Sequence, residues 1–197
     1  MIAILDYGSG NLRSALRAFE TTGRQVNLTS DEEIAAKADA LVVPGVGAFG
    51  ACMSGLKSVN GDQIIKSRVA AGKPTLGICV GMQIMFQQGV EHGTFQGVGA
   101  LIGSVERLNA PVLPHMGWNT VEIHGTSKLF KGIERESFYF VHSYGIKNYQ
   151  GNNFATTNYH EEFIAALEEG TLCATQFHPE KSGAAGLKLI INWVESL

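Results

Sequence analysis

Three short apolar runs in this chain each end in a glycine-bearing turn that leads toward a helix, and this order constrains the fold more than any other feature. Ile2 to Leu5 breaks at Asp6-Tyr7-Gly8-Ser9-Gly10, ahead of a helix in which Leu12, Ala15, Leu16 and Phe19 share one face and Asn11 stands at the cap. Ala40 to Val43 runs into Pro44-Gly45-Val46-Gly47-Ala48-Phe49-Gly50. Thr75 to Ile78 runs into Cys79 and a helix predicted from Val80 to about Gln88. Apolar runs without polar alternation are strands buried on both faces, as in a parallel sheet covered by helices. Gly23 is placed to end the first helix, Val26 and Leu28 alternate as a strand, and Ser30 with Glu33 forms a capping box for a short helix. Residues 93–158 read as hairpins and loops. Phe163 to Leu167 and Leu172 to Gln176 read as a hairpin, and a last helix from about Gly183 puts Leu187, Ile190, Ile191 and Val194 on one stripe. The expected fold is a three-layer α/β domain over residues 1–197. Its central sheet is mainly parallel and flanked by helices, a smaller portion is antiparallel, and ligands are expected beyond the carboxyl ends of the strands.

Charge and cysteine usage narrow the function. Lys and Arg total 15 against 18 Asp and Glu, with no basic run, so nucleic acid finds no electrostatic footprint. Cys52, Cys79 and Cys173 are an odd count without a C-x-x-C pair, which predicts reduced thiols and a cytoplasmic setting. The amino terminus lacks a positive leader region, and the longest near-continuous apolar run, Pro74 to Phe86, is short of a membrane span. Neither export nor membrane attachment is expected.

Gly77-Ile78-Cys79-Val80-Gly81 has the form of a nucleophile elbow with cysteine in place of serine. A side chain at the tip of a sharp strand-to-helix turn takes a strained backbone, and its neighbours two residues away must lack bulk. The helix start favours thiolate over thiol and leaves the Val80 amide free for an oxyanion. The competing reading is a small buried hydrophobe at a strand end. Phe177-His178-Pro179-Glu180 follows a predicted strand on a segment expected to be extended, so that His178 and Glu180 point to one side, base and orienter of a triad. Gly45 to Gly50 matches G-x-G-x-x-G, but residues 64–70 look helical and basic where a dinucleotide site needs a strand ending in an acid. The better use of Val46 and Gly47 is to aim a backbone amide at a tetrahedral oxygen. No histidine or cysteine spacing supports a metal centre, and no cofactor is expected.

Cys79 in G-I-C-V-G-M-Q, together with His178-Pro179-Glu180, resembles the class I glutamine amidotransferases. Asp6-Tyr7-Gly8-Ser9-Gly10-Asn11-Leu12-Arg13-Ser14, Pro44-Gly45-Val46-Gly47, Pro114-His115-Met116-Gly117-Trp118-Asn119 and Val141-His142-Ser143-Tyr144 resemble, more narrowly, the family of glutaminase subunits of imidazole glycerol phosphate synthases. The resemblance implies a Cys79–His178–Glu180 triad hydrolysing L-glutamine through a thioester, an oxyanion hole from Val46, Gly47 and Val80, and substrate contacts at Gly47, Gln83, Glu91, Ser143 and Tyr144. Gln83 is one helical turn from Cys79, which suits that role. Two positions depart from the family pattern: His92 follows Glu91 where a second acid is usual, and Gly145 follows Tyr144.

Ammonia released into water is protonated and lost, and no acceptor domain fits in the 17 residues after Glu180. The resemblance supplies the missing acceptor as a (β/α)8-barrel cyclase forming a heterodimer, with Asn11, Arg17, Trp118, Asn119 and Lys181 as candidates for the docking face. Tryptophan is as often a core residue, so Trp118 has a buried reading as well. Two other readings stand beside this one. Another cysteine hydrolase or amidotransferase would share the triad but not Pro114 to Asn119. A non-catalytic binding module would keep the fold with an inert thiol.

Overall fold

A computed structural model describes residues 1–197. The chain begins β1 (Ile2–Leu5), α1 (Leu12–Glu20), β2 (Val26–Thr29), α2 (Glu32–Lys37), β3 (Ala40–Gly45), α3 (Phe49–Ser58), α4 (Gly61–Ala70), β4 (Thr75–Cys79) and α5 (Val80–Gln83). It continues β5 (Phe86–Gly89), β6 (Phe95–Gln96), β7 (Leu101–Arg107), β8 (His115–Thr120), β9 (Glu122–His124), β10 (Ser137–His142) and β11 (Tyr144–Ile146). It closes with β12 (Phe154–Asn158), β13 (Glu162–Glu169), β14 (Leu172–Thr175), a 3₁₀ turn (Pro179–Lys181) and α6 (Gly183–Glu195).

The main sheet has eight strands in the order β2-β1-β3-β4-β14-β13-β12-β9. The first five are mutually parallel; β1, β3, β4 and β14 are fully buried while the edge strand β2 is only partly so, and the hairpin β13–β14 turns the remainder antiparallel. Order reverses at β1, since the chain runs outward to β2 and then back across to β3. Right-handed crossovers therefore put α1 and α2 on opposite faces and open a crevice at the carboxyl ends of β1 and β3. On one face α1 meets α6 through Phe19 and Trp193, whose rings sit edge to face at 5.8 Å. On the other, α4 packs against α2 and α3. A four-stranded sheet β11-β7-β5-β6 and a two-stranded ribbon β10-β8 overhang the carboxyl end of the main sheet.

Several local expectations are corrected. The helix predicted to reach Gln88 stops at Gln83, and Phe86–Gly89 is a strand pairing with β6 and β7. Burial of Met82, Met85 and Phe86 mimics a helical stripe, so pairing with a strand more than ten residues away decided between two readings of one pattern. Asp31, not Ser30, caps α2, accepting the Ile34 amide at 2.9 Å, because Thr29 still belongs to β2 and its hydroxyl accepts the Asp31 amide. Asn11 precedes α1 but makes no side-chain cap. The core stripe of α6 is Gly186, Leu189, Ile190, Trp193 and Val194, with Leu187 and Ile191 only half-buried.

Arg68 of α4 is a buried tie between layers. Its guanidinium donates to the carbonyls of Ala35, Ala36, Ala38, Asp39 and Pro74 at 2.8–3.3 Å, gathering the α2–β3 connection and the start of β4. Arg68→Met keeps the stem volume and strips those donors. Its unfolding free energy is expected to drop by about 3 kcal/mol, roughly 6–12 °C in melting temperature, read by urea and thermal denaturation.

Candidate active site

The carboxyl ends of β3, β4 and β14 converge on one cavity of about 290 Å³, at the lower limit of the usual ligand range and suited to a molecule the size of an amino acid. Val46, Gly47, Cys79, Val80, Gln83, Glu91, Ser143, Tyr144, His178 and Lys181 all line it, from segments up to 135 residues apart (Val46 to Lys181). The structure thus brings together every predicted triad-adjacent and substrate residue except Glu180, which stands behind His178.

Cys79 ends β4 with φ +57° and ψ −114°, outside the regions a non-glycine residue ordinarily occupies. The surroundings over-determine this strain. A Cβ on Gly77 would come 2.7 Å from the Gly81 carbonyl oxygen, and a Cβ on Gly45 would come 2.5 Å from the Gly81 nitrogen. Only bare glycines let β3, β4 and the start of α5 approach this closely. The sulfur is held at the mouth of α5, beside the Val80 amide at the first helical position, where an amide has no intrahelical acceptor.

His178 arrives from the neighbouring strand. The register Thr175↔Ile78 sets the end of β14 beside the end of β4, and the chain continues three residues to the imidazole. Its amide donates to Tyr139 O at 2.9 Å, and its carbonyl accepts from Ser182 Oγ at 2.7 Å. Nδ1 meets Glu180 Oε1 at 2.8 Å, with both side chains almost fully buried. The contact matches the sequence expectation, but the backbone does not: Pro179–Lys181 is a 3₁₀ turn, begun by a proline whose fixed φ suits its first position. With Nδ1 engaged, Nε2 is left without a hydrogen-bond partner and is the nitrogen available to the thiol. Burial works against charge on His178, but interaction with the Cys79 sulfur and with Glu180 outweighs it and raises the pKa to about 9.

The loop expected to complete the oxyanion hole is held by the turn after β1. Val46 N–H donates to Ser9 Oγ at 3.0 Å, and that hydroxyl donates back to Val46 O at 2.8 Å, while Cys52 Sγ approaches the same carbonyl at 3.3 Å. The Val46 amide is therefore occupied by the β1 turn rather than aimed into the cavity. Gly47, with φ +93° and open space around its Cα, can reorient. Glu91 Oε2 accepts the Phe49 amide at 2.8 Å and so closes the start of α3 as well as lining the cavity.

Sequence reasoning missed Ser9 and Gln176. The first lay inside a Gly-Ser-Gly turn read as punctuation. The second was a polar residue at the end of an apolar run, and its full burial is the signal that marks it. Among the residues assigned to a docking face, Trp118 is 57% exposed on the outside of the ribbon, which removes its core reading. Its ring lies 6.0 Å from that of Tyr139. Lys181 is exposed at the cavity rim and Asn11 starts α1 nearby. Asn119 instead holds Asn158 O at 2.9 Å, and Arg17 is exposed nearly two turns along α1, which runs back from the rim. Neither is brought to the cavity.

His142 and His115 are buried beside the site, Nε2 of the first 3.4 Å from Nδ1 of the second. Burial, with the neighbouring imidazoles, pushes His142 down to about 3 despite its bond to Tyr144 O. An unfolded imidazole titrates near 6.5. His142, neutral in the fold, therefore costs stability as pH falls from about 6.5 toward 3, whereas the contribution of His178 is complete below about 6.5 and is lost as pH rises through 9. The urea midpoint is expected to peak near pH 6.5, with His142→Phe flattening the acid limb and His178→Asn the alkaline one.

A thiol on a strand–helix elbow, with a carboxylate-oriented imidazole and a small cavity between them, is equipped to attack an amide carbon and protonate the leaving amine. Comparison with known proteins agrees. The family model for class-I glutamine amidotransferases matches residues 3–196, and the chain belongs to that family. It is similar to the imidazole glycerol phosphate synthase subunit HisH of Mycolicibacterium paratuberculosis, 56% identical over 201 residues, covering all of this chain and 98% of that protein. The subunit of the same name from Corynebacterium diphtheriae is 55% identical over 207 residues, covering all of this chain and 99% of that one. Two solved structures share the fold: a glutamine amidotransferase (TM-score 0.77, 17% identity, all of this chain and 99% of that one) and PurLQS from Thermotoga maritima (TM-score 0.75, 18% identity, 99% and 97%).

Proposed function

We propose that this chain is the glutamine-hydrolysing subunit of an imidazole glycerol phosphate synthase, releasing ammonia to a (β/α)8-barrel cyclase within a cytoplasmic heterodimer. The observation that carries the chemistry is the common cavity of Cys79, Val80 and His178, with Glu180 fixing the imidazole at 2.8 Å. The full-length similarity to HisH subunits carries the assignment to histidine biosynthesis.

The thiolate of Cys79 adds to the carboxamide carbon of L-glutamine, forming the C–S bond and placing charge on the oxygen. The Val80 amide faces that oxygen, and the Val46–Gly47 peptide supplies a second donor once it turns. The C–N bond then breaks, His178 Nε2 gives its proton to the leaving nitrogen, and ammonia departs. Water, deprotonated by His178, cleaves the thioester to glutamate and returns the sulfur. Gly47, Gln83, Glu91, Ser143 and Tyr144 hold the amino-acid end. The ammonia leaves on the side of Trp118, Lys181 and Asn11, where the cyclase docks. The acceptor is a ribulosyl phosphate intermediate, and the products are imidazole glycerol phosphate and an aminoimidazole carboxamide ribotide.

Co-purification with the barrel cyclase, and glutamate release that rises when the cyclase carries its ligand, test the assignment. Equal turnover with and without the liganded partner would remove the coupling. Ser9 sets the height of that step. Ser9→Ala deletes both of its bonds to Val46, each worth about 1 kcal/mol net, so glutaminase activity of the uncomplexed chain is expected to rise about thirtyfold. The fully activated rate is expected to move less than twofold, measured by coupled glutamate assay.

A further inference from the structure

Gln176 is fully buried at the end of β14, two residues before His178. Its side chain touches two groups of the site. Oε1 accepts from Gln83 Nε2 at 2.9 Å, and Nε2 lies 3.8 Å from Cys79 Sγ, at the long end of what the larger sulfur atom accepts. Gln83 Nε2 also donates to Tyr144 O at 2.8 Å, and that carbonyl takes a second N–H from His142 Nδ1 at 2.9 Å.

Only one assignment of donors satisfies all of these contacts. The Tyr144 carbonyl can only accept, so His142 carries its proton on Nδ1 and Gln83 turns its nitrogen toward the same oxygen. Both N–H groups of Gln83 are then spent on Tyr144 O and Gln176 Oε1. Gln176, having given its oxygen to Gln83, points its own N–H₂ at the sulfur. Gln83 thus has its carbonyl oxygen as the polar atom left for the cavity, an acceptor suited to the ammonium or carboxamide N–H of the substrate.

We propose that Gln176 is a positioning residue with two separable actions: it fixes the Gln83 amide so that its oxygen meets the substrate, and it lends an N–H to the Cys79 sulfur. The first action rests on the glutaminase reading; the second does not. Both belong to a residue outside the triad and outside the substrate contacts described above.

The two actions separate in a double-mutant cycle on the full chain, alone and assembled with the cyclase. Gln83→Met and Gln176→Met are each expected to raise KM for glutamine about tenfold, and the double variant to raise it no further, because Gln176 acts on KM through Gln83. In kcat the double variant is expected to fall about tenfold below Gln83→Met, since the N–H to sulfur is lost only with Gln176. Alkylation of Cys79 by iodoacetamide, followed by peptide mass, is expected to be about tenfold slower in Gln176→Met than in Gln83→Met. If Gln176→Met alone does not fold, Gln83→Met against the double variant gives the same two readouts, and the double variant, with both amides removed, leaves neither without its partner. Additive KM effects overturn the first action, and equal alkylation rates overturn the second. Wild-type chain that releases no glutamate in the assembled complex overturns the function proposed above, and alkylation still decides the sulfur contact.

Discussion

Cys79→Ala is expected to release no measurable glutamate from glutamine, while the assembled enzyme continues to make imidazole glycerol phosphate when ammonium salts are supplied. In enzymes that act through a nucleophile, base and orienter, removing the nucleophile costs on the order of 10⁶ in kcat, because the remaining groups have nothing to activate. The second half of the expectation follows from placement. Cys79 is buried at the elbow and lines the cavity, while Trp118, on the proposed docking side, stands exposed on the β8–β10 ribbon. Deleting a sulfur leaves the ribbon and the partner contact intact. Paired assays with glutamine and with ammonium chloride decide the matter. Loss of both activities would make Cys79 a structural residue and return the binding-module reading.

Gly81→Ala carries the largest expected effect on the fold itself. A Cβ at this position overlaps the Val43 carbonyl oxygen and comes within 2.9 Å of the Val43 carbonyl carbon and 3.3 Å of that of Pro44. These are backbone atoms of a central strand, and no rotamer change moves them. Either β3 separates from the elbow or the elbow opens, so a loss of at least about 3 kcal/mol in unfolding free energy is expected. Surviving folded protein is expected to lose about 100-fold in glutaminase rate, since a displacement near 1 Å spoils the alignment of sulfur and Val80 amide. Gly72→Ala supplies the contrast. Gly72 has φ +64° but open space around it, so its cost is limited to the left-handed backbone, about 1 kcal/mol, with turnover unchanged. Urea titration of both variants, with glutamate release from each, distinguishes overlap from backbone preference.

The parallel half of the sheet was legible because β1, β3 and β4 announce themselves locally, each an apolar run closed by glycine. The elbow was legible for the same reason, since Gly77, Cys79 and Gly81 carry the turn within five residues. The His178–Glu180 pair was found from spacing, yet its 3₁₀ turn was not, because a proline-containing segment allows an extended or a turning path to the same contact. The end of α5 at Gln83 depended on the pairing of β5 with β7, which no window of sequence around Phe86 contains. Polar residues inside the site were the hardest to read. Ser9 and Gln176 have neither motif nor periodicity, and their roles come from partners 37 and 97 residues away.

The peptide of His178 hangs from the ribbon that carries Trp118. Tyr139 holds His178 N–H with its carbonyl, its own amide grips the Ser182 hydroxyl, and that hydroxyl returns to His178 O, a closed ring of three bonds of 2.7–2.9 Å. Tyr139 pairs directly with Trp118 across the two strands. The exposed indole and the peptide of the proton carrier thus share one residue, Tyr139, as their common anchor, so a molecule seated on Trp118 would rest on the strand pair from which His178 is hung.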